Sequence, residues 1–309
     1  MSLDRKTGLS AVIVHFGSTE TTERTLRSLE RHAPGIPVVV VDNDGAFAAI
    51  HGGSPREGLE ILSRGKNLGY GAACNLGARH TAGSFLLLLN NDTEIDAGTI
   101  PRLVAALQKE PRAAVAGPRL RDGSGNPIRS IGRAPTPRRI LFESLFLPRL
   151  FPGIPFFHGH HTARISHGRA RDVETLSGAA FLIRREAFDE VGGFDERYFF
   201  FVEETDLFER LRRKGWRIRF DPASTAVHHG GIASRALAQD VLDQLLHRGF
   251  RTYARTFHGA VGERRTVRAL SAGATLRWLL SYLQPGPQRH ERRRRYAALR
   301  SLYRGGFGD

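Results

Sequence analysis

Four polar clusters in this chain follow apolar runs or open helix-like segments. They are Asp42-Asn43-Asp44, Asn90-Asn91-Asp92, Glu203-Glu204-Thr205-Asp206 and His228-His229. Carboxylates and an imidazole at one crevice can hold a hard divalent cation, and with it a diphosphate. A further carboxylate can take a proton from a nucleophile. The clusters are far apart in sequence, so this chemistry depends on elements that bring them to one place.

The pattern around them supplies such elements. Residues 9–16 (LSAVIVHF) are β-branched and apolar, as in a buried strand. Ser18 or Thr19 can cap a helix to about His32, with Leu26 and Leu29 inward. Residues 37–42 read as a second strand and 59–63 as a third. Gly69, Gly71 and Gly77 punctuate a loop-to-helix stretch, NLGYGAACNLGARH. FLLLLNND reads as a fourth strand, 99–109 as a helix and 113–117 as another strand. This alternation predicts an open α/β sheet, which binds ligands at the carboxyl ends of its strands. Residues 119–172 lose the rhythm and contain an apolar stretch, ILFESLFLPRLFPGIPFF. LSGAAFLIRREAF then reads as a strand and a helix start, 203–214 as a helix, 216–220 as a strand and VHHGGIAS as a loop. Beyond about 236 the chain reads as helical and basic. The expected division is a catalytic domain over 1–236, irregular at 119–172, and a C-terminal extension over 237–309.

Composition narrows the class. The chain has 309 residues, 40% hydrophobic and 25% charged, which suits a globular protein. Its single cysteine, Cys74, rules out an internal disulfide or a several-thiolate zinc site. Cys74 reads as a small buried residue, not a nucleophile. The formal charge is +15, which implies an anionic partner. No stretch approaches the roughly 18 apolar residues of a membrane span. The run 11–16 is too short for a typical signal-peptide core, so the expected location is cytoplasmic or peripheral to a membrane's inner face.

Six segments carry a family resemblance when taken in order: VIVHFGSTETTERTLRSLE, VVVVDND, NLGYGAACNLGAR, LLLLNNDTEI, LSGAAFLIRREAFDEVGGFDERYFFFVEETDLFERLRRKGWRI and VHHGGIAS. Over residues 9–236 the chain resembles family 2 glycosyltransferases of GT-A fold, of the non-processive, rhamnosyltransferase-like kind. The resemblance implies a Rossmann-like, mixed and mostly parallel sheet flanked by helices, with the helical extension behind it. It also implies inverting sugar transfer from a nucleoside diphosphate sugar, assisted by Mn²⁺ or Mg²⁺. The dTDP-rhamnose donor is favoured, with UDP-sugars next. The acceptor is expected to be a cell-surface glycan or a lipid-linked molecule. The Gln-x-x-Arg-Trp motif of the processive relatives is absent, which favours addition of one or a few sugars.

Site roles follow from the same resemblance. Asp42, with Asn43 beside it, matches the carboxylate that reads the nucleotide base, or else braces a turn. Asn67, Gly69, Gly71, Asn75, Asn91 and Asp92 fall in donor-site segments. Asp92, His228 and Asn90 match the metal position. Asn90 stands where an aspartate is common and offers an amide oxygen without charge. An imidazole ligand favours Mn²⁺ over Mg²⁺. Glu204 matches the general base, with glutamate in place of the common aspartate, and Glu203 is the alternative. Ser177, Gly178 and Ala179 match the strand lining the donor–acceptor cleft. Asp195 is either an acceptor-side acid or a turn brace. Asp206–Arg210 and Glu209–Arg213 have helical i,i+4 spacing and need no catalytic role.

The basic tail has its own implication. Residues 240–309 hold 14 basic and 5 acidic residues, a net +9. At helical spacing Leu299, Leu302 and Tyr303 share a face, so 276–304 suits an anionic membrane surface. Only four of the 46 basic residues are lysine, so an arginine-rich composition also accounts for part of the charge. The 140–157 stretch either covers the acceptor cleft, touches lipid or fills a core. A nucleotidyltransferase is disfavoured, because HFGSTETT lacks a lysine or arginine. A specific nucleic-acid binder is disfavoured, because no RNA motif, zinc spacing or recognition helix is visible. A catalytically degenerate GT-A protein or a polyanion binder remains the alternative. Oligomeric state is not legible.

Overall fold

A computed structural model describes residues 8–52, 56–160, 168–230, 238–283, 286 and 288–304. Internal contacts divide the chain into Met1–Gly132 with Arg164–Ala236, and Arg133–Ala163 with Leu237–Asp309.

The first unit is a nine-stranded sheet with helices on both faces. Strands β1 (Leu9–His15), β2 (Val38–Asp42), β3 (Leu59–Ser63) and β4 (Phe85–Asn90) pair in parallel in the order β3-β2-β1-β4. The sheet continues through β10 (Ala180–Arg184), β6 (Ala113–Arg121), β11 (Arg217–His228) and β5 (Thr93–Ile95). β10 is antiparallel to both β4 and β6, while β6 and β11 are parallel. β8 (Arg171–Asp172) pairs antiparallel with β11, and β7 (Ile131–Gly132) with β9 (Thr175–Leu176).

Residues such as Ile13 and Val40 on these strands have no solvent exposure, because both faces are covered. Side chains of period two sort between the covers. Ala11, Ile13, Val38, Val40, Leu87 and Leu89 pack with α1 (Thr19–His32) and α4 (Thr99–Lys109), through residues including Leu26, Leu29, Ile100 and Leu103. Val12, Val14, Val39, Val41, Leu86 and Leu88 pack with α3 (Tyr70–Arg79) and α8 (Glu203–Arg213), through Ala73, Leu76, Leu207 and Leu211. Short helices α2 (Ala46–His51) and α7 (Arg185–Glu190) follow β2 and β10. Ser18 caps α1, its side chain accepting from Thr21 N.

Pairing places the polar clusters. His15 is in register with Asp42, and Val14 with Asn90, so β1, β2 and β4 end at one edge. Ala180 pairs with Leu89, so residues 177–179 enter β10 at that edge. One expectation changes here. The strand expected at 216–220 runs on to His228, and VHH, expected in a loop, lies in or beside it. A register shift between Asp221 and Thr225 absorbs Pro222, and pairing with β6 then resumes. His228 pairs with Thr93 on β5, one residue after Asp92. The rest of the expected loop, 231–234, lies outside the described residues.

The second unit holds α5 (Pro137–Ser144), α6 (Leu147–Leu150), a 3₁₀ turn (Pro155–Phe157), α9 (Gln239–Leu280) and α10 (Arg289–Arg304). α9 breaks at Gly259, where φ is 65°. Arg277 donates to Ser144 O at 3.0 Å and lies 4.5 Å from the Phe146 ring centre. Arg295 pairs with Asp243 at 2.6 and 2.7 Å, fixing α10 on α9. No helix among the described residues is long and apolar enough to cross a membrane.

α3 packs closely on β1 and β2 through Gly77. A Cβ at Gly77 would lie 2.4 Å from Val12 Cγ1 and 3.1 Å from Val41 Cγ2. Gly77→Ala is expected to lower unfolding stability by about 1–3 kcal/mol, the usual cost of overpacking. Urea unfolding checks this, and an unchanged midpoint contradicts it.

Candidate active site

The β2 end is a hydrogen-bonded turn. Asp42 is 1% exposed. Its Oδ1 accepts from Asp44 N at 3.2 Å and Gly45 N at 2.8 Å, and its Oδ2 from Ala48 N at 2.7 Å. Asp44 accepts from Gly17 N and Ala46 N at 2.5 and 3.0 Å. His15 joins this turn to α1, with Nδ1 2.6 Å from Thr22 Oγ1 and Nε2 3.3 Å from Asp44 Oδ1. Burial holds the His15 imidazole below its usual range, against the opposing pull of Asp44 and Asp42. His15, Asp42 and Asp44 are close enough to hold a cation. All four carboxylate oxygens accept backbone N–H groups, while the buried His15 Nε2 makes no hydrogen bond among the described residues and faces Asp44 Oδ1 at 3.3 Å.

The β4 end differs. Asp92 is 5% exposed, and its Oδ1 is buried without a hydrogen-bond partner among the described residues. That oxygen lies 3.1 Å from His228 Nε2. Two ligands bonded at right angles to one cation at ~2.1 Å stand ~3 Å apart, so the pair fits a shared divalent ion. Apart from this imidazole contact the buried oxygen has no hydrogen-bond partner among the described residues, and an unsatisfied buried carboxylate oxygen is costly. Asn90 N donates to Ala179 O at 3.0 Å, next to the pair. Asn91 is structural in its contacts, donating from Nδ2 to Phe16 O at 3.3 Å and Thr22 Oγ1 at 3.2 Å. His229 points to Glu94 instead, at 2.6 Å.

The third component is the first turn of α8. Phe201 and Val202 precede it with φ of 70° and 74°. Left-handed geometry at a β-branched residue is unusual and strained. It turns the chain so that Glu203 and Glu204 open the helix together. Glu203 is 4% exposed, and its Oε2 has no hydrogen-bond partner among the described residues. Burial first, and then the Glu204 charge, push its carboxyl well above the ordinary range. Glu204 is half-buried beside Gly178, where a Cβ would lie 3.6 Å from its Cδ. Burial raises Glu204 too, but backbone N–H groups and the Arg129 charge oppose it. Tyr70 donates to Gly178 O at 2.9 Å and fixes that strip. Asp206 is engaged structurally, with Arg210 at 2.5 Å and the Tyr198 hydroxyl at 3.1 Å. Glu209 likewise pairs with Arg213 at 3.0 Å.

Other expected site residues brace loops. Asn43 accepts from Leu68 N and donates to Gly69 O, both at 3.3 Å, and Asn67 accepts from Gly69 N at 2.9 Å. At Gly69 (φ 80°) a Cβ would stand 2.2 Å from Phe199 O, and at Gly71 3.0 Å from Phe194 Cβ. The close approach these glycines allow is to the 194–199 loop. Asn75 clamps the same loop, accepting from Phe194 N at 2.8 Å and donating to Phe194 O at 2.9 Å and Glu196 Oε1 at 3.0 Å. Asp195 is taken up by Arg197, with contacts of 2.5–3.0 Å. Ser177 accepts from Ala179 N at 3.3 Å. Thus Asp92 meets His228, Asn90 meets Ala179, and Glu204 meets Gly178, while Asn75 and Asp195 serve the loop. Sequence reasoning misses His15, Thr22, Tyr70 and Arg129. Locally, His15 is a strand end and Thr22 a helix residue, and no spacing signal links them.

Comparison with known proteins agrees with this architecture. Residues 10–192 match glycosyl transferase family 2, and residues 159–229 match the N-terminal domain of galactosyltransferase. An N-acetylglucosaminyl-diphospho-decaprenol L-rhamnosyltransferase of Mycobacterium tuberculosis is 32% identical over 236 residues, covering 72% of this chain and 76% of the relative. A low-salt glycan biosynthesis hexosyltransferase, Agl10 of Haloferax volcanii, is 24% identical over 225 residues, covering 72% and 67%. Among solved structures, GalNAc-T7 with UDP, GalNAc and Mn²⁺ superposes with a TM-score of 0.59 at 14% identity, covering 98% of this chain and 57% of that one. A Pyrobaculum calidifontis mannosyltransferase in complex with GDP-Man and Mn²⁺ gives 0.50 at 16% identity, covering 94% and 84%. The fold is therefore GT-A. The chain belongs to glycosyl transferase family 2 and is a rhamnosyltransferase-like glycosyltransferase.

The state of Glu203 has a measurable consequence. Its unfolded carboxyl ionises near 4.3 or so, whereas the folded one keeps its proton to higher pH. The folded state thus binds the extra proton in that window, and stability falls as pH rises through it. Glu203→Gln is expected to flatten this decline in urea unfolding followed from acid to neutral pH. An unchanged slope contradicts a protonated Glu203.

Proposed function

We propose that this enzyme transfers a sugar, with inversion, from a nucleoside diphosphate sugar to a hydroxyl of a cell-surface glycan or lipid-linked acceptor. The observation that carries the reading is the sheet edge. One half bears the buried Asp92 oxygen against His228 Nε2, and the other bears Glu204 beside Gly178, with Asn90 and Ala179 joined between them. The donor's nucleotide lies over the β2 end, where Asp42 and Asn43 shape the turn and keep further oxygen lone pairs for a base. Glu204 removes the acceptor hydroxyl proton as that oxygen bonds to the anomeric carbon. The bond to the diphosphate breaks on the opposite face. Asp92, His228 and Asn90 would hold Mn²⁺ or Mg²⁺, which when bound offsets negative charge on the leaving diphosphate. Glu204 is favoured over Glu203 because it is only half-buried and has a cationic neighbour, whereas Glu203 is enclosed.

The relatives support the donor and acceptor classes. The mycobacterial relative is named as an L-rhamnosyltransferase on a diphospho-decaprenol acceptor, which supports dTDP-rhamnose over a UDP-sugar and a lipid-linked acceptor. Such an acceptor places the enzyme at the inner face of a membrane, with residues 276–304 toward anionic lipid.

Glu204→Gln is expected to lower kcat by about 10²–10⁴-fold, the usual loss on removing a positioned base, with donor binding retained. Unchanged turnover contradicts the assignment. In calorimetry, Mn²⁺-dependent binding of dTDP or UDP is expected in wild type and lost in Asp92→Ala. Equal binding by the variant contradicts the metal role.

A further inference from the structure

The second unit presents apolar side chains to water in a fixed shape. Leu150 is 65% exposed, Phe151 44%, Ile154 45% and Phe156 58%. A contiguous exposed apolar patch on a folded surface marks a contact site. The shape is held rather than loose. Phe146 bends the chain with φ of 58°, and Pro148, Pro152 and Pro155 restrict the backbone. Phe142, Phe151, Phe156 and Phe157 form a ring cluster at 5.3–5.4 Å beneath the exposed edges. On α9 nearby in sequence to its C-terminus, Leu279 is 53% exposed, and just beyond it Leu283 is 79%.

The basic helix α10 does not itself offer its aromatic face. The Tyr303 hydroxyl meets His247, and the guanidiniums of Arg300 and Arg293 each lie 4.1 Å from the ring centres of Trp278 and Tyr282. Its arginines therefore supply charge, while the exposed apolar surface comes from 150–156, with Leu279 and Leu283 adding to it. Cations flank that segment too. Arg138 lies 5.2 Å from the Phe156 ring centre and Arg149 5.8 Å from that of Phe146. Glu143, the one acid within residues 137–157, pairs with His160 at 2.5 Å. Aromatic and aliphatic side chains ringed by arginine match the boundary of an anionic bilayer, where rings enter the acyl edge and guanidiniums stay on phosphates. A second copy of the chain fits poorly, because each copy carries +15.

We infer that the 150–156 segment inserts shallowly into an anionic membrane surface while the arginines of the same unit engage its headgroups. This deepens, and rests on, the lipid-linked acceptor reading.

The test is flotation of the full chain with phosphatidylcholine vesicles, with or without about 30 mol % phosphatidylglycerol. Wild type is expected to partition at least about tenfold better onto the anionic vesicles, less so at high salt. The combined Phe151→Ser, Ile154→Ser and Phe156→Ser variant is expected to lose about tenfold or more of that binding. Its Mn²⁺-dependent nucleotide binding should match wild type, which also reports folding. Leu150→Ser alone, the milder change, is expected to lose a smaller part. Flotation unaffected by both variants overturns the inference. So does a wild type that ignores anionic vesicles but forms a dimer, in sedimentation velocity, that the triple variant dissolves. If the vesicle pattern holds while wild type binds no nucleotide, the membrane surface stands and the catalytic reading falls.

Discussion

Three carboxylates open one helix in this enzyme, and a half-buried site cannot keep all three charged. Glu203, Glu204 and Asp206 occupy the first turn of α8. Each loses hydration on burial, and like charges at this range raise one another. The structure gives each a different environment. Asp206 is held by Arg210 and the Tyr198 hydroxyl. Glu203 is enclosed, and burial followed by the Glu204 charge pushes its carboxyl well above the ordinary range. Glu204 stands beside Gly178, and burial raises its carboxyl too, opposed by backbone N–H groups and the Arg129 charge. Separating the acids in this way leaves one carboxylate suited to proton removal.

The surrounding geometry serves that separation. The left-handed Phe201–Val202 pair sets the direction of α8, and strain of about 1–3 kcal/mol per such residue persists only where packing over-determines it. Here the packing is visible. Tyr70 N donates to Phe199 O at 3.1 Å, Gly69 lets the two chains meet, and Asn75 clamps the backbone at Phe194. The Tyr70 hydroxyl then fixes Gly178 in front of Glu204. The 67–71 turn therefore helps order the start of α8, and the glycines there allow close protein packing.

Much of the fold is legible because local signals agree with it. Helix 99–109 and strands 38–42 and 59–63 emerge where periodicity and punctuation put them. Ser18 caps α1 as its position before an amphipathic run implies. His228 is the instructive difference. The strand expected to end at 220 runs on through a register shift past Pro222 and delivers the imidazole to Asp92. The contacts of residues 137–150 with the C-terminal helices leave no local trace, since Arg277 and Ser144 meet across a long sequence gap. The same holds for His15 with Thr22 and Asp44, and for Asn75, which falls in a donor-site segment of the resemblance and whose amide clamps a loop. Sequence marks which residues are polar at strand ends. Only the fold shows which of them still have an unused atom.

The most direct test of the central claim is the pH dependence of kcat in Glu203→Gln. With Glu204 as the working base, the variant keeps an ascending limb set by one carboxylate raised above its usual range. Loss of that limb, with turnover low at every pH, would instead place the proton transfer on Glu203 and contradict this division of roles.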